Sequence, residues 1–243
     1  MTTVVKLGGS VITAKKDRET LDDRSLSRAA GAIAEADEEV AVVHGAGSFG
    51  HPHAAEYGVT ETTGTHDYEA VTAIHGAVTT LTRFVVSRLH AADAPAVPVH
   101  PLSAGYRNEG GETRLPTGAV ETLLSEGFLP VTHGDGVAHV GEGTTVVSGD
   151  ELVVALARAV NADRVGLCSA VPGVLDDDGN VIDRIDSFDS VASVFGENPG
   201  ADVTGGMAGK VQRSLGLDAP AFVFGLDELK AFLDGRDAGT RIE

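Results

Sequence analysis

Tryptophan is absent from this 243-residue chain, aromatic residues are sparse, and there is one cysteine, Cys168. A single thiol excludes a disulfide framework and a thiolate-held structural metal, and it fits a reducing, cytoplasmic setting. No apolar run reaches the roughly 18 residues of a membrane span. The first residues follow a strand pattern and not a basic stretch leading into an apolar run, so no signal peptide is expected. Positive charge is also scarce. Five lysines (Lys6, Lys15, Lys16, Lys210, Lys230) and 13 arginines stand against 36 acidic residues, for a net charge of −18. That balance argues against nucleic acid and anionic membranes as partners. The acid is spread along the chain, which points to a solvated acidic surface and to a halophilic protein whose self-repulsion is screened by concentrated salt.

What is present is an alternation of apolar strands and amphipathic helices. Residues 2–7 predict a buried strand, 23–37 a helix capped by Asp22 or Asp23, and 40–43 a second buried strand. Continuous apolar strands joined by helices indicate a parallel α/β sheet. Further on, the pattern predicts a helix over 67–90 with Val71, Ile74, Val78, Leu81 and Val85 near one face. Most of that stripe is core, and Ile74, Val78 and Leu81 are candidates for lining an apolar pocket. A strand at 96–99, a hairpin turn at 108–112, a helix at 118–126 and a strand at 129–132 follow. Then come a turn at 133–136, a hairpin around Gly141–Gly143, a helix from 149 to about 161 and a strand at 164–168. A helix at 207–215, a strand at 221–224, a helix at 226–233 and a closing strand at 240–242 complete the chain. No repeat or linker divides it, so a single domain is expected.

Four glycine-bearing stretches carry the chemistry. Lys6-Leu7-Gly8-Gly9-Ser10 ends the first strand, and Lys15 lies five residues beyond Ser10. Glycines at a strand end bring backbone N–H groups close to an anion, and the lysines supply full charges. His44-Gly45-Ala46-Gly47-Ser48-Phe49-Gly50-His51 follows the second strand. Its G-x-G-x-x-G spacing is formally the dinucleotide fingerprint, but it sits in the wrong unit and lacks the acidic strand end that should follow. A glycine loop opening a helix binds anions all the same. His51, at the loop's exit, is either a phosphate ligand or an ordinary loop histidine. Ser148-Gly149-Asp150 opens a helix, where Asp150 is either a cap or the partner of Lys6 and Lys210. Asp202-Val203-Thr204-Gly205-Gly206-Met207-Ala208-Gly209-Lys210 approaches a P-loop but has Thr204 and Val211 where that motif needs Gly and Ser or Thr. The acidic stretch Asp176–Asp178 lacks the ligand spacing of a calcium loop and reads as a solvated turn. No metal-ligating cluster is visible.

Taken in order, K-L-G-G-S-V-I-T-x-K, H-G-A-G-S-F-G-H, S-G-D, V-T-G-G-M-x-x-K and the terminal G-T-R-I resemble the amino acid kinase superfamily over the whole chain. The loop ending Gly50-His51 is similar to that of its isopentenyl phosphate kinases; fosfomycin kinases share the loop histidine. The resemblance implies an α/β fold: an open αβα sandwich of the amino acid kinase type, with a mainly parallel sheet and helices on both faces. It implies an acceptor lobe of about residues 1–147, a nucleotide lobe of about 148–243, and a homodimer. It implies ATP with Mg2+ held mainly through its phosphates, and conversion of isopentenyl phosphate to isopentenyl diphosphate in an archaeal-type mevalonate route. By position, Lys6 and Lys210 would hold the ATP phosphates, with Gly8, Gly9, Ser10, Gly47 and Gly206 lining them. Lys15 would steady the transferring group, Asp150 would pair with Lys6 and Lys210, and His51 with Ala46, Gly50 and Gly149 would hold the acceptor phosphate. Two departures stand out: Ala46 where glycine is frequent, and Ala170 and Pro172 where the nucleotide-side turn usually carries aspartates. A kinase acting on a phosphonate or carboxylate, and a non-catalytic nucleotide or anion sensor, are the alternatives.

Overall fold

The computed structural model describes residues 1–14, 16–115, 117–195 and 206–243. Lys15 and the motif residues Asp202 to Gly205 therefore lie outside the described residues. In chain order the elements are β1 (Thr2–Leu7), α1 (Gly9–Ile12), α2 (Asp23–Ala34), β2 (Glu39–His44), α3 (Gly47–Glu56), α4 (Tyr68–Ala91), β3 (Ala96–Pro98), β4 (Tyr106–Arg107) and β5 (Thr113–Arg114). They continue with α5 (Gly118–Ser125), β6 (Leu129–His133), β7 (Asp135–His139), β8 (Gly143–Val147), α6 (Gly149–Ala159), β9 (Arg164–Ser169), β10 (Arg184–Ile185), α7 (Gly206–Ser214), β11 (Ala221–Gly225), α8 (Leu229–Leu233) and β12 (Thr240–Ile242).

Among the described residues the main sheet has eight strands in the order β10-β12-β11-β9-β1-β2-β6-β3, parallel throughout except where β11 meets β12. Strand periodicity then divides the core in two. Val5, Leu7, Val40 and Val42 face one way, against Leu26 and Ile33 of α2, Leu81 and Val85 of α4 and Phe232 of α8. Val4, Ala41 and Val43 face the other way, against Leu124 of α5, Leu152 and Leu156 of α6 and Val211 of α7. Successive strand side chains point to opposite faces, so Lys6 shares the α6 face with Val4, and His44 shares the α4 face with Val42.

The second sheet, β5-β4-β7-β8, is reached directly from the first. The expected turn at 133–136 is instead a crossing: Gly134 alone separates β6 from β7. A Cβ at Gly134 would approach the Gly149 backbone N at 3.3 Å, so the site suits a residue without one. The helix expected to run to residue 37 ends at Ala34. Glu35, Asp37, Glu38 and Glu39 follow, and acidic residues oppose the negative end of a helix dipole. Its N-cap is Asp22, which accepts from Ser25 N at 3.0 Å. The two-residue edge strand β10 was not expected from the pattern; it is too short for alternation to register. Helix α4 has the length and composition of a membrane span, but Ile74, Ala77, Val78, Leu81 and Val85 are buried, while Glu69 and Arg83 on its other face are exposed.

Candidate active site

The register of the sheet sets the site. Leu7 pairs with both His44 and Cys168, and His44 pairs with His133, so four parallel strands end at one level. The loops that leave them, at 8–9, 45–47, 134 and 169–171, line one cleft of about 770 Å3. Ligand crevices of open parallel sheets lie at these carboxyl ends.

Among the described residues four helices open on this cleft, and each begins with a glycine that lines it: α1 at Gly9, α3 at Gly47, α6 at Gly149 and α7 at Gly206. First-turn N–H groups have no intrahelical acceptor, and helix dipoles place partial positive charge there, so convergence of these ends makes an anion receptor. The glycines are required by packing. A Cβ on Gly9 would lie 2.4 Å from Gly47 N, one on Gly45 2.6 Å from Gly9 N, and one on Gly149 3.1 Å from Lys6 Cε. Gly47 also has a φ of +50°. The first two glycine stretches thus pack backbone against backbone, which only residues lacking Cβ allow.

Full charge is added by a triad at the floor. Lys6 Nζ lies 2.7 Å and Lys210 Nζ 2.8 Å from the same oxygen, Oδ1 of Asp150. Lys6 reaches it because of its strand parity, Asp150 because it stands in the first turn of α6, and Lys210 because it projects from α7. Asp150 is not the cap of its helix: Ser148 caps it, accepting from Glu151 N at 3.3 Å. Burial, together with the neighbouring Lys210 ammonium, lowers the Lys6 pKa to about 8. Burial alone would raise the Asp150 carboxyl, but Lys6 and Lys210 outweigh it and hold it well below the usual carboxylate range. Two ammonium groups therefore share one carboxylate, which leaves the triad with an excess positive charge.

His51 also lines the cleft, on the exposed side of α3. It belongs to that helix's second turn and not to a loop exit, because the helix already starts at Gly47. The next residue, Pro52, lacks the N–H that would bond the Ser48 carbonyl. That carbonyl instead accepts from Glu19 N at 2.8 Å. His53 Nε2 and Glu19 Oε1 lie 2.7 Å apart, and Arg18 pairs with Glu56 at 2.5 Å, so the 16–20 segment is fixed along α3. Lys16 and Arg18 of that segment line the cleft mouth.

Beyond His51 the wall turns apolar, with Ala54, Ala55, Ile74, Val78 and Val146. Leu81, expected beside Ile74 and Val78, is fully buried in the core under α2 and lines no part of this wall. Gly50 lines the cleft and also lets α3 approach α4, since a Cβ there would meet Val78 Cγ1 at 2.5 Å. Of the expected site residues, Lys6, Gly8, Gly9, Ser10, Ala46, Gly47, Gly50, His51, Gly149, Asp150, Gly206 and Lys210 all line this one cleft; Lys15 lies outside the described residues.

A polar seam behind the wall was missed. His44 Nε2 lies 2.9 Å from Thr82 Oγ1 of α4, the His44 and His133 rings stack at 5.4 Å, and His133 Nε2 lies 2.8 Å from His100 Nδ1. His75 Nδ1 lies 2.9 Å from Asp135 Oδ2. Burial lowers His44 to about 4 and His133 to about 3, so both are neutral, whereas the hydrogen bond to Asp135 raises His75. The only sequence signal was a histidine directly preceding a glycine at both strand ends, His44-Gly45 and His133-Gly134.

Among the described residues no group of histidines, cysteines and carboxylates is arranged to hold a metal.

Cations and helix N-termini gathered at the strand ends of an open parallel sheet make the phosphate-binding cleft that a small-molecule phosphotransferase requires. The amino acid kinase family model matches residues 1–217. The isopentenyl phosphate kinase of Haloferax volcanii is 54% identical over 98% of this chain and 97% of its own length, and that of Methanothermobacter thermautotrophicus is 34% identical over 87% and 85%. A crystallographically solved isopentenyl phosphate kinase superposes with a TM-score of 0.84 at 27% identity, covering 100% of both chains. The chain belongs to the amino acid kinase family, and within it to the isopentenyl phosphate kinases.

Proposed function

We propose that this chain transfers the γ-phosphoryl group of ATP to isopentenyl phosphate, giving isopentenyl diphosphate and ADP, in an archaeal-type mevalonate route. The observation that carries the reading is a single cleft that holds a lysine–aspartate–lysine triad at its floor and passes, at His51, into an apolar wall. The charged part suits phosphates and the apolar part suits a short branched alkyl chain.

Lys6 and Lys210 hold the ATP phosphates, with Gly8, Gly9, Ser10, Gly47 and Gly206 around them, and Lys15 steadies the transferring group. Their excess charge is set where negative charge gathers in phosphoryl transfer. His51, with Ala46, Gly50 and Gly149, holds the acceptor phosphate. That phosphate is already an anionic nucleophile, so the chain's task is positioning and neutralisation, and no general base is required. Mg2+ is carried by the ATP phosphates. Residues to about 147 form the acceptor lobe and those from about 148 the nucleotide lobe, in a cytoplasmic homodimer.

The test is ADP release with Mg-ATP and a panel of isopentenyl phosphate, fosfomycin, carbamate and N-acetylglutamate. Isopentenyl phosphate should be turned over best, and His51→Ala should lower that turnover about 100-fold, near 2.7 kcal/mol of barrier, with little change in melting temperature. Preference for fosfomycin or a carboxylate would replace the acceptor, and ATP binding without turnover on any acceptor would make the chain a sensor.

A further inference from the structure

Directly behind the triad lies a second set of charges that does not line the cleft. Arg107 of β4 is buried and places Nη2 2.6 Å from Glu151 Oε2, next to Asp150 on α6. The same guanidinium donates to Thr113 Oγ1 at 2.9 Å and, through Nη1, to the backbone carbonyl of Glu61. The Glu61 carboxylate in turn accepts from Arg213 Nη2 at 3.0 Å. Arg213 follows Lys210 by three residues on α7, so the two side chains leave neighbouring faces of one helix. Glu61 Oε1 is buried and has no hydrogen-bond partner among the described residues.

Both ion pairs join residues before 148 to residues after it: Arg107 with Glu151, and Glu61 with Arg213. The Glu61 segment is itself fixed to the acceptor side. Val146 N donates to Thr60 O at 2.9 Å, and Thr65 and Thr144 exchange two backbone hydrogen bonds of 2.9 Å. Val146 is part of the apolar cleft wall. One short segment therefore touches the acceptor wall at Thr60, the helix of Lys210 at Arg213, and, through Arg107, the helix of Asp150.

We propose that Glu61 and Arg213 are positioning residues that set α7, and through it the Lys210 ammonium, against the triad. Helix α7 has nine residues and is seated in the core mainly through Ala208 and Val211. An apolar seat fixes its depth but constrains its rotation weakly, because hydrophobic contact is non-directional. A charge-assisted hydrogen bond one turn beyond Lys210 supplies the direction. The pair is partly shielded, with side-chain exposures of 31% for Arg213 and 21% for Glu61, so salt screens it less than an exposed pair. The proposal rests on the reading of Lys210 as a phosphate-binding residue.

The test compares wild type, Glu61→Gln, Arg213→Lys, Lys210→Met and the Glu61→Gln/Lys210→Met double variant, by calorimetric ATP binding, steady-state kinetics and thermal melting. Glu61→Gln should weaken ATP binding and lower kcat, each about tenfold, while KM for isopentenyl phosphate stays within about twofold. In the Lys210→Met background the same change should add less than about a twofold effect, because its target is gone. Arg213→Lys, which keeps the charge, should retain most activity and covers the case in which Glu61→Gln does not fold. A wild-type chain that binds no ATP would sink the reading of Lys210 itself. Wild-type binding with ATP affinity unchanged in Glu61→Gln, or effects that multiply in the double variant, would sink the latch alone.

Discussion

At the scale of single residues, the site is built on an unfavourable charge that a ligand relieves. Lys6 is held in a strand, nearly out of solvent, beside a second ammonium, and its pKa falls to about 8. Bound phosphates favour the charged form and raise it again. The sign follows from linkage. Below pH 8 Lys6 is already protonated and ATP affinity is independent of this group; above pH 8 the free chain loses the proton, binding must take one up, and affinity falls. Between pH 7.5 and 9, where ATP itself has finished titrating, the dissociation constant should rise about eightfold. Calorimetry in two buffers of different ionisation enthalpy should show proton uptake at pH 9 and little at pH 7.5. Equal affinities at the two pH values would show that Lys6 keeps its proton throughout.

Elements explain why the glycines are where they are, and they separate two kinds. Gly9 and Gly45 are backbone contacts between α1 and the loop before α3, with Cβ positions 2.4 and 2.6 Å from neighbouring backbone nitrogen. Gly31 in α2 and Gly76 in α4 have nothing within 4 Å of a built Cβ. Gly9→Ala should force the two cleft loops apart and abolish turnover while leaving a folded chain, read by far-UV dichroism. Gly31→Ala and Gly76→Ala should each stabilise by about 0.5–1 kcal/mol, since alanine loses less backbone entropy in a helix, and melting curves with unchanged turnover would check it. The pattern of strands and helices was legible because parallel strands at the centre of a sheet are continuous apolar runs, and the triad was legible because Asp150 follows a helix-opening glycine directly while Lys6 and Lys210 lie within four residues of one. The histidine seam and the Glu61–Arg213 pair were not, because their partners lie between 30 and 160 residues apart and carry no local spacing; Glu61 and Arg213 are 152 positions apart. His51 was expected at the exit of the glycine loop, whereas α3 already starts at Gly47 and continues through Pro52, the Ser48 carbonyl that Pro52 leaves free being taken up by Glu19.

For the molecule as a whole, the charge balance is a stability term in its own right. The chain has 18 basic and 36 acidic residues, so even complete pairing of every cation would leave 18 carboxylates without a partner. Many of the existing pairs are exposed, such as Arg28 with Asp227 and Arg184 with Asp186, and exposed pairs contribute little. The dominant electrostatic effect on folding is therefore repulsion summed over the surface, which favours expansion of the chain. Salt acts on that sum directly, since the screening length is about 10 Å at 0.1 M and about 3 Å at 1 M. The melting temperature should rise by at least about 5 °C between 0.1 and 1 M KCl, with about 2–4 °C expected per kcal/mol in a chain of this size, and then flatten, because a screening length shorter than the spacing between surface charges leaves little repulsion to remove. Exclusion of solute from the protein surface would instead give a rise that continues in proportion to concentration, as a sucrose series run in parallel would show. A melting temperature no higher at 1 M KCl than at 0.1 M would mean that the acidic surface is not under electrostatic strain, and that its composition needs an explanation other than life in salt.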